Sequence, residues 1–202
     1  MRRIISNRRG HLNEIITTPV GLEYVPSFLS AGQAEQLLNQ IDRGSWLPVA
    51  AHTGARRVQQ FGARFDHSAA AVAAEERVAF PEWCVELSQR ITDCGYIDSS
   101  PDQAIVNEYL PGQGIGSHVD NVHDFGPIVI SITLGSPVTM VFSNQESGEK
   151  WDQWLEVGSL VVLSGAARYD WKHGIAKLDY DIVDGERIER ARRVSVTFRT
   201  LN

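Results

Sequence analysis

The sequence predicts an α+β fold, in which helices cover one face of an antiparallel sandwich or jelly roll. Two observations lead to this prediction. Apolar residues recur at helical spacing in the first hundred residues, whereas from Gln103 onward they alternate with polar ones. Glycine and proline then punctuate the chain at short intervals, as they do between the short strands of sandwiches and jelly rolls. Helices that precede such strands are expected to pack on one sheet.

The first predicted helix begins at Ser30. Ser30 and Gln33 have the spacing of a capping box, in which each side chain bonds the other residue's backbone amide. Leu37, Leu38 and Ile41 follow at helical spacing and predict an apolar face.

The second predicted helix opens at Phe80 and Pro81, because proline is tolerated in the first turn of a helix. Its apolar residues recur every four positions and are Trp83, Leu87 and Ile91. Gly95 suits the C-terminal cap. The alanine-rich stretch Ala69–Ala74 is predicted as either a loop or a short helix, and the pattern does not decide between them.

Short strands are predicted in the second half of the chain, where the period is two. They are Ala104–Leu110, Ile128–Leu134, Val138–Phe142, Ser159–Leu163 and Val194–Phe198. The chain therefore divides into a helical front half and a strand-rich back half.

Composition limits the class of protein. The chain has 202 residues and a formal net charge of −6, which indicates one soluble domain over residues 1–202 and speaks against a protein coated in positive charge. No apolar run reaches the roughly 18 residues of a membrane helix, so no membrane partner is expected. Cys84 and Cys94 are expected to be reduced thiols of a cytoplasmic protein. The arginine-rich start is read as a mobile terminus rather than a transit peptide.

The strongest candidate for chemistry is the triplet His118-Val119-Asp120. In an extended backbone the first and third side chains point the same way and can contact one ion. His173, beyond a later strand, is the predicted third ligand. Two histidines and one carboxylate are typical of an iron(II) site that leaves three positions open.

The last strand and the strand at residue 107 carry a second set of polar residues. Arg193, Ser195 and Arg199 share one face of the final strand, opposite its valines. Two arginines on one face can pair with a small dianion that has a carboxylate at each end, such as 2-oxoglutarate. Asn107 and Tyr109 share a face of the earlier strand and can donate hydrogen bonds to carboxylates.

These motifs, in this order, resemble the AlkB family of iron(II)- and 2-oxoglutarate-dependent dioxygenases. The likeness is strong over residues 103–202, and it looks closest to the branch that hydroxylates a wobble uridine in tRNA. It implies a double-stranded β-helix fold, with residues 1–102 as lid and helical support and 103–202 as the metal- and cofactor-binding core. It also implies Fe(II), 2-oxoglutarate and O2 as cofactors.

The resemblance assigns roles to the residues already singled out. His118, Asp120 and His173 would hold iron. Arg193, helped by Tyr109 and Ser195, would pair with the distal carboxylate of 2-oxoglutarate. Asn107 and Arg199 would serve the end nearer the metal.

Substrate capture is expected in the segment from Ala51 to Asp66, where basic and aromatic residues alternate in a way that suits phosphate contact and base stacking. The candidates are Arg56, Arg57, Phe61, Arg64 and Phe65. A single-stranded or flipped nucleotide is favoured, because a base must leave its stack to reach the iron. Val122 stands where some family members carry an acid that contacts a base amine, so alkyl-adenine and alkyl-cytosine specificity is in doubt.

The function predicted from these motifs is oxidative demethylation or hydroxylation of modified bases, in DNA repair or tRNA modification. Three alternatives remain open at this point. They are a dioxygenase that acts on a protein or small molecule, a zinc site in a hydrolase or structural module, and a non-catalytic nucleic-acid binder. Arginines concentrate near residue 60 and near the C-terminus. A small basic mouth in an acidic chain fits a short footprint of one or a few nucleotides, and a monomer is favoured.

Overall fold

The structure is a computed structural model that describes residues 18–49, 56–66 and 71–202. The predicted mobile N-terminus lies outside the described residues, and so do residues 51–55 of the expected substrate-capture segment and residues 69–70 of the alanine-rich stretch.

Three helices and fourteen strands make up the described chain. The helices are α1 (Ala31–Asp42), α2 (Glu82–Asp93) and α3 (Gly165–Tyr169). The strands are β1 (Leu22–Val25), β2 (Leu47–Pro48), β3 (Arg57–Asp66), β4 (Ala71–Val78), β5 (Gln103–Tyr109), β6 (Ile115–His118), β7 (Phe125–Leu134), β8 (Val138–Asn144), β9 (Lys150–Leu155), β10 (Leu160–Leu163), β11 (Trp171–Ile175), β12 (Tyr180–Val183), β13 (Glu186–Glu189) and β14 (Arg193–Leu201).

Both predicted helices are present. Ser30 and Gln33 form the capping box at the start of α1, with hydrogen bonds of 3.0 and 3.3 Å. Pro81 is the N-cap of α2 and therefore lies one residue before its first turn. Gly95 follows the end of α2 with φ of +76°, the left-handed conformation that glycine adopts without strain. No helix among the described residues is long and apolar enough to cross a membrane.

Two antiparallel sheets form the body of the fold. The larger has eight strands in the order β1-β10-β7-β14-β5-β3-β2, with β4 paired to β3, and the smaller has the order β6-β11-β8-β9. Strands β12 and β13 form a separate hairpin. Two facing sheets whose strands alternate in this way make the expected jelly roll, a double-stranded β-helix.

The helices cover the outer face of the larger sheet, as the sequence predicted. Leu37 and Ile41 of α1 and Leu87 and Ile91 of α2 are buried in one cluster with alternate residues of the central strands. Val194, Val196 and Phe198 supply the β14 side of this cluster. Because residues alternate in a strand, the opposite face of β14 points between the two sheets.

A second apolar cluster lies between the two sheets, and several of its members line the same pocket as the polar site residues. It contains Phe142 of β8, Leu163 of β10 and Trp171 of β11, all buried. Polar side chains occupy the remaining inward positions, and these form the candidate site.

Parts of the sequence-based prediction were wrong. Residues 71–74 of the alanine-rich stretch belong to strand β4, neither a loop nor a helix, and residues 71–73 pair with residues 64–66 of β3. The front half is also not purely helical, since it contributes β1–β4 to the larger sheet. Strands β6, β9 and β11 and the β12–β13 hairpin, in the back half, were not predicted.

Candidate active site

Two neighbouring strands of the smaller sheet bring the predicted metal ligands together. His173 on β11 lies directly opposite His118 on β6 in the antiparallel register, and the two ring centroids are 4.5 Å apart. Asp120 follows β6 by two residues. One ligand atom from each of these three residues lies within 4.8 Å of the others, so together they are able to hold a metal ion.

Neighbouring groups orient two of the three ligands. Nδ1 of His118 lies 2.8 Å from the carbonyl oxygen of Gly116, which can only accept, so Nδ1 carries the proton and Nε2 is left for a metal. Arg199 donates to Oδ1 of Asp120. Oδ2 of Asp120 faces His173, 3.5 Å from its Nε2. Asp120 thus has one oxygen engaged by Arg199 and the other facing the metal position.

The charges at the site favour the protonation states that bind metal. Burial by itself raises the pKa of Asp120, but the nearby charges of Arg199 and His173 outweigh it and lower the pKa to about 2. Burial lowers the pKa of His173 to about 4. A carboxylate and a neutral imidazole are the forms that coordinate a divalent cation.

The predicted cofactor residues line one pocket between the sheets, next to the metal ligands. Those that line it are Asn107, Tyr109, Arg193, Ser195 and Arg199. Glu108 points to the opposite face of β5, as the alternation predicts. Asn107 is 8% and Ser195 4% exposed, so this polar surface is nearly closed to solvent.

Arg193 is the residue that best fits a bound carboxylate. It is 3% exposed, and its Nη2 donates to Oγ1 of Thr133 at 2.9 Å. Its Nε has no hydrogen-bond partner in the structure, and it forms no ion pair with any described acid. Burial lowers the pKa of Arg193 to about 10. A buried guanidinium with an unused donor is a site for an anion, and the distal carboxylate of 2-oxoglutarate meets this requirement.

A wider cleft opens on the other side of the metal ligands. This outer cleft has a volume of about 560 Å³. It shares four lining residues with the pocket between the sheets, which we call the inner pocket: His118, Asp120, Asn107 and Arg199. Phe65 and Phe125 line it with ring centroids 5.7 Å apart. Arg56 also lines it and donates from Nη1 to the Tyr109 hydroxyl at 3.4 Å.

The structure brings only Arg56 and Phe65 of the five predicted substrate residues to this cleft. Arg57 points to the opposite face of the sheet, where it binds Glu108 at 2.6 and 2.7 Å. Phe61 packs in the helix-side core, 5.6 Å from Trp83. Arg64 is exposed on β3, outside the set of described residues that line the cleft. The period of two accounts for Arg56 and Arg57, which are neighbours in the chain and face opposite ways. It does not account for Phe61 and Phe65, which are four residues apart, and between them the pairing of β3 with β4 shifts register at residues 63 and 64.

Three of the arginines near the C-terminus pair with acids and do not line the outer cleft. Arg187 pairs with Glu189, and Arg190 pairs with Asp181 at 2.6 Å. Arg192 is shared between Glu108 and Asp42. These three cations are therefore neutralised by acids from elsewhere in the chain.

Several polar residues of the site were not predicted as site residues, among them Ser131 and Thr197, which line the inner pocket, and two that bond its arginines. Thr133 lies within the apolar strand β7 and accepts from Arg193. Gln103 is fully buried, accepts from Arg199 at 2.9 Å and donates to the carbonyl of Ala63. Each is a polar residue at an inward position of a strand, which is a signal that the alternation could have revealed.

Fold and site together define a non-haem iron oxygenase that uses 2-oxoglutarate. The family model of the 2OG-Fe(II) oxygenase superfamily matches residues 21–199, and the chain belongs to this superfamily. It is an AlkB-type member, a 2-oxoglutarate-dependent dioxygenase with Fe(II), 2-oxoglutarate and O2 as its cofactors.

The chain is similar to two curated proteins, and its fold is similar to that of one solved structure. The chain is 31% identical to "Uncharacterized protein L905" of Acanthamoeba polyphaga mimivirus, over 90% of this chain and 85% of the viral protein. It is 30% identical to the tRNA (carboxymethyluridine(34)-5-O)-methyltransferase alkbh8 of Xenopus tropicalis, over 90% of this chain but only 32% of the frog protein. The solved structure of OsALKBH1 has the same fold, with a TM-score of 0.68, 16% identity and coverage of 92% of this chain and 98% of that one.

Proposed function

We propose that this dioxygenase oxidises a modified base of a single-stranded or flipped nucleotide, by hydroxylation or oxidative demethylation. The observation that carries the proposal is the outer cleft. It opens on His118 and Asp120 and is lined by an aromatic pair and an arginine that faces it. A base stacks on aromatic rings and a phosphate pairs with a guanidinium, so this lining suits a nucleotide.

The residues of the inner pocket bind and orient the cofactors. His118, Asp120 and His173 would hold iron(II), and Arg193 with Tyr109 would bind the distal carboxylate of 2-oxoglutarate. When bound, iron(II), 2-oxoglutarate and O2 supply the oxidation of a substrate C–H bond, with release of succinate and CO2. The buried walls of the pocket exclude water from this chemistry.

The product depends on the carbon that the cleft presents. A hydroxylated methyl on a base nitrogen is a carbinol that loses formaldehyde, which amounts to demethylation. A hydroxylated carbon without such a leaving group remains an alcohol. Both outcomes are consistent with the same site.

The lining of the cleft and one relative bear on the choice of base. Val122 contributes an apolar, 42% exposed surface where an acid would be needed to accept from a base amine. This favours a base that has no exocyclic amine on the edge facing the iron. The frog relative is named for a modified uridine of tRNA, and the chain spans about a third of that protein. We therefore propose a modified uridine in RNA as the first substrate to test.

A second candidate is a dioxygenase that acts on a protein side chain or a small metabolite. The formal net charge of −6 favours it, as does the pairing of the C-terminal arginines with acids. On this hypothesis Arg56 would bind a carboxylate of the substrate instead of a phosphate.

The test is a single-turnover experiment. The protein is loaded with iron(II) and 2-oxoglutarate without oxygen, exposed to oxygen, and incubated with a panel of modified DNA and RNA oligonucleotides. A loss of 14 mass units or a gain of about 16 on one oligonucleotide supports the proposal, with the His118→Ala variant as the inactive control. If succinate forms while no nucleic acid changes mass, and a peptide or metabolite does change mass, the result would favour a dioxygenase that acts on a protein or small molecule.

A further inference from the structure

Arg168 on α3 is a fully enclosed cation that neither the metal site nor the cofactor pocket uses directly. It is 2% exposed and ranks among the largest fully buried side chains of the described residues. Within the described part of the chain it forms no salt bridge. A buried guanidinium is costly unless its donors are satisfied, so its partners identify its role.

All three nitrogens of Arg168 donate to backbone carbonyls of one short segment. Nη1 donates to Asp120 at 2.9 Å and Nε to Gly126 at 3.2 Å. Nη2 donates to both Asn121 and Phe125, each at 3.2 Å. The four carbonyls belong to the turn between the metal ligand Asp120 and the start of β7. Arg168 therefore anchors this turn through its carbonyls, while the Asn121 side chain accepts from the backbone amides of His123 and Asp124.

The same side chain connects the two segments that carry metal ligands. Arg168 lies five residues before His173, on the short helix between β10 and β11. Its hydrogen bonds reach across to the segment of Asp120. The turn that it holds also carries Asn121, Val122 and His123, which line the outer cleft.

We propose that Arg168 is a positioning residue for the metal site, which holds the backbone of Asp120 so that its carboxylate faces His118 and His173 before any metal binds. The inference rests on the metal site and is independent of the nature of the substrate. Lysine cannot replace arginine here, because one ammonium group cannot reach all four carbonyls that the three nitrogens of the planar guanidinium contact.

Arg190 provides a matched control. It is another nearly buried arginine, 7% exposed, that donates to the backbone carbonyls of Ala176 and Leu178. Unlike Arg168, it pairs with an acid, Asp181, at 2.6 and 2.8 Å. It serves the β12–β13 hairpin, so its loss should weaken the fold without changing the metal ligands.

The experiment compares Arg168→Lys and Arg168→Met with Arg190→Lys and Arg190→Met. Iron(II) is titrated into each full-length protein without oxygen in the presence of 2-oxoglutarate, and binding is followed by the visible charge-transfer band and by the metal-induced rise in Tm. We expect the Kd for iron(II) to rise 10- to 100-fold in the Arg168 variants, as for other residues that orient metal ligands. The Arg190 variants should keep a Kd within about twofold of the wild type, even where their Tm falls.

A second measurement on the wild-type protein covers the case in which Arg168 variants do not fold. Backbone amide exchange of residues 121–125 is measured in the metal-free protein. Protection of the amides of His123, Asp124 and Phe125, which donate to Asn121, would show that the turn is already formed without metal, as the proposal requires. Unprotected amides whose exchange slows only when metal binds would overturn the proposal. In the titration, an unchanged Kd for iron(II) in folded Arg168→Lys would overturn it too. So would an equal loss of iron(II) affinity in the Arg190 variants.

Discussion

The guanidinium of Arg193 lies 5.4 Å from the ring centroid of Tyr109, its partner in the antiparallel register of β14 and β5. The guanidinium of Arg56 lies 5.5 Å from the same ring. The Tyr109 ring therefore lies beside both arginines, of which Arg193 lines the inner pocket and Arg56 the outer cleft, whereas Arg199 lines both. We therefore expect Arg193 to bind the carboxylate of 2-oxoglutarate and Arg56 to bind an anionic group of the substrate, and the two arginines have separate predictions.

Replacing Arg193 with methionine should abolish cofactor binding without destabilising the fold. The buried guanidinium has no acidic partner among the described residues, so its removal should raise the free energy of unfolding of the cofactor-free protein by about 1 kcal/mol or more. 2-Oxoglutarate at a hundred times its Kd should stabilise the wild type by about 2.7 kcal/mol and the variant not at all. Urea unfolding with and without 2-oxoglutarate measures both quantities, and a variant that 2-oxoglutarate still stabilises would contradict the assignment.

The neighbours Arg56 and Arg57 should have different effects on nucleic-acid binding. Arg56→Ala removes a cation from the cleft and should lower the slope of log K against log salt by about one unit. Arg57→Ala removes the same charge from the opposite face and should leave the slope unchanged. Binding of a labelled single-stranded oligonucleotide at several salt concentrations tests this pair. Equal effects from both variants would show that only net charge matters.

Glu108 should make the stability of the protein depend on pH. It is 3% exposed, and hydrogen bonds from Arg57 and Arg192 lower its pKa below the usual 4.5. A lowered folded-state pKa means that the carboxylate stabilises the fold above pH 4.5 and that this contribution is lost as the pH falls through the folded-state value.

The Glu108→Gln variant should therefore lose about 1–3 kcal/mol of unfolding free energy near pH 7. The difference from the wild type should shrink as the pH falls below 4.5. Urea unfolding across this pH range is the measurement. A difference that is constant with pH would exclude ionised Glu108 as its source.

Ser30 should stabilise α1 through its cap. Ser30→Ala removes the acceptor for the Gln33 amide and should cost about 1 kcal/mol of unfolding free energy. Gln36→Ala, at an exposed position of the same helix that takes no part in the cap, is the control and should change stability by less than about 0.5 kcal/mol.

Local patterns predicted the parts of the site that lie within one strand. The alternation of β14 placed Arg193, Ser195 and Arg199 on the inner face and the valines against the helices, and the structure has them there. A period of two is a property of the extended backbone and needs no knowledge of the rest of the fold.

Relationships between distant segments could not be predicted in this way. The pairing of His118 with His173 depends on the register between β6 and β11, which are separated by more than fifty residues. Phe61 and Arg57 were expected at the substrate site because the residues around them are basic and aromatic. Their side chains instead follow the pairing of β3 with β5, which no local pattern encodes.

The alternation of β14 has a consequence for how the gene can change. Removing or adding one residue near Arg193 would turn every later side chain of the strand to the other face. The valines would then point into the cofactor pocket and the arginines into the apolar core beneath the helices. A single in-frame codon deletion would thus disturb the apolar core and the cofactor pocket together, whereas replacement of one residue alters only one face of the strand.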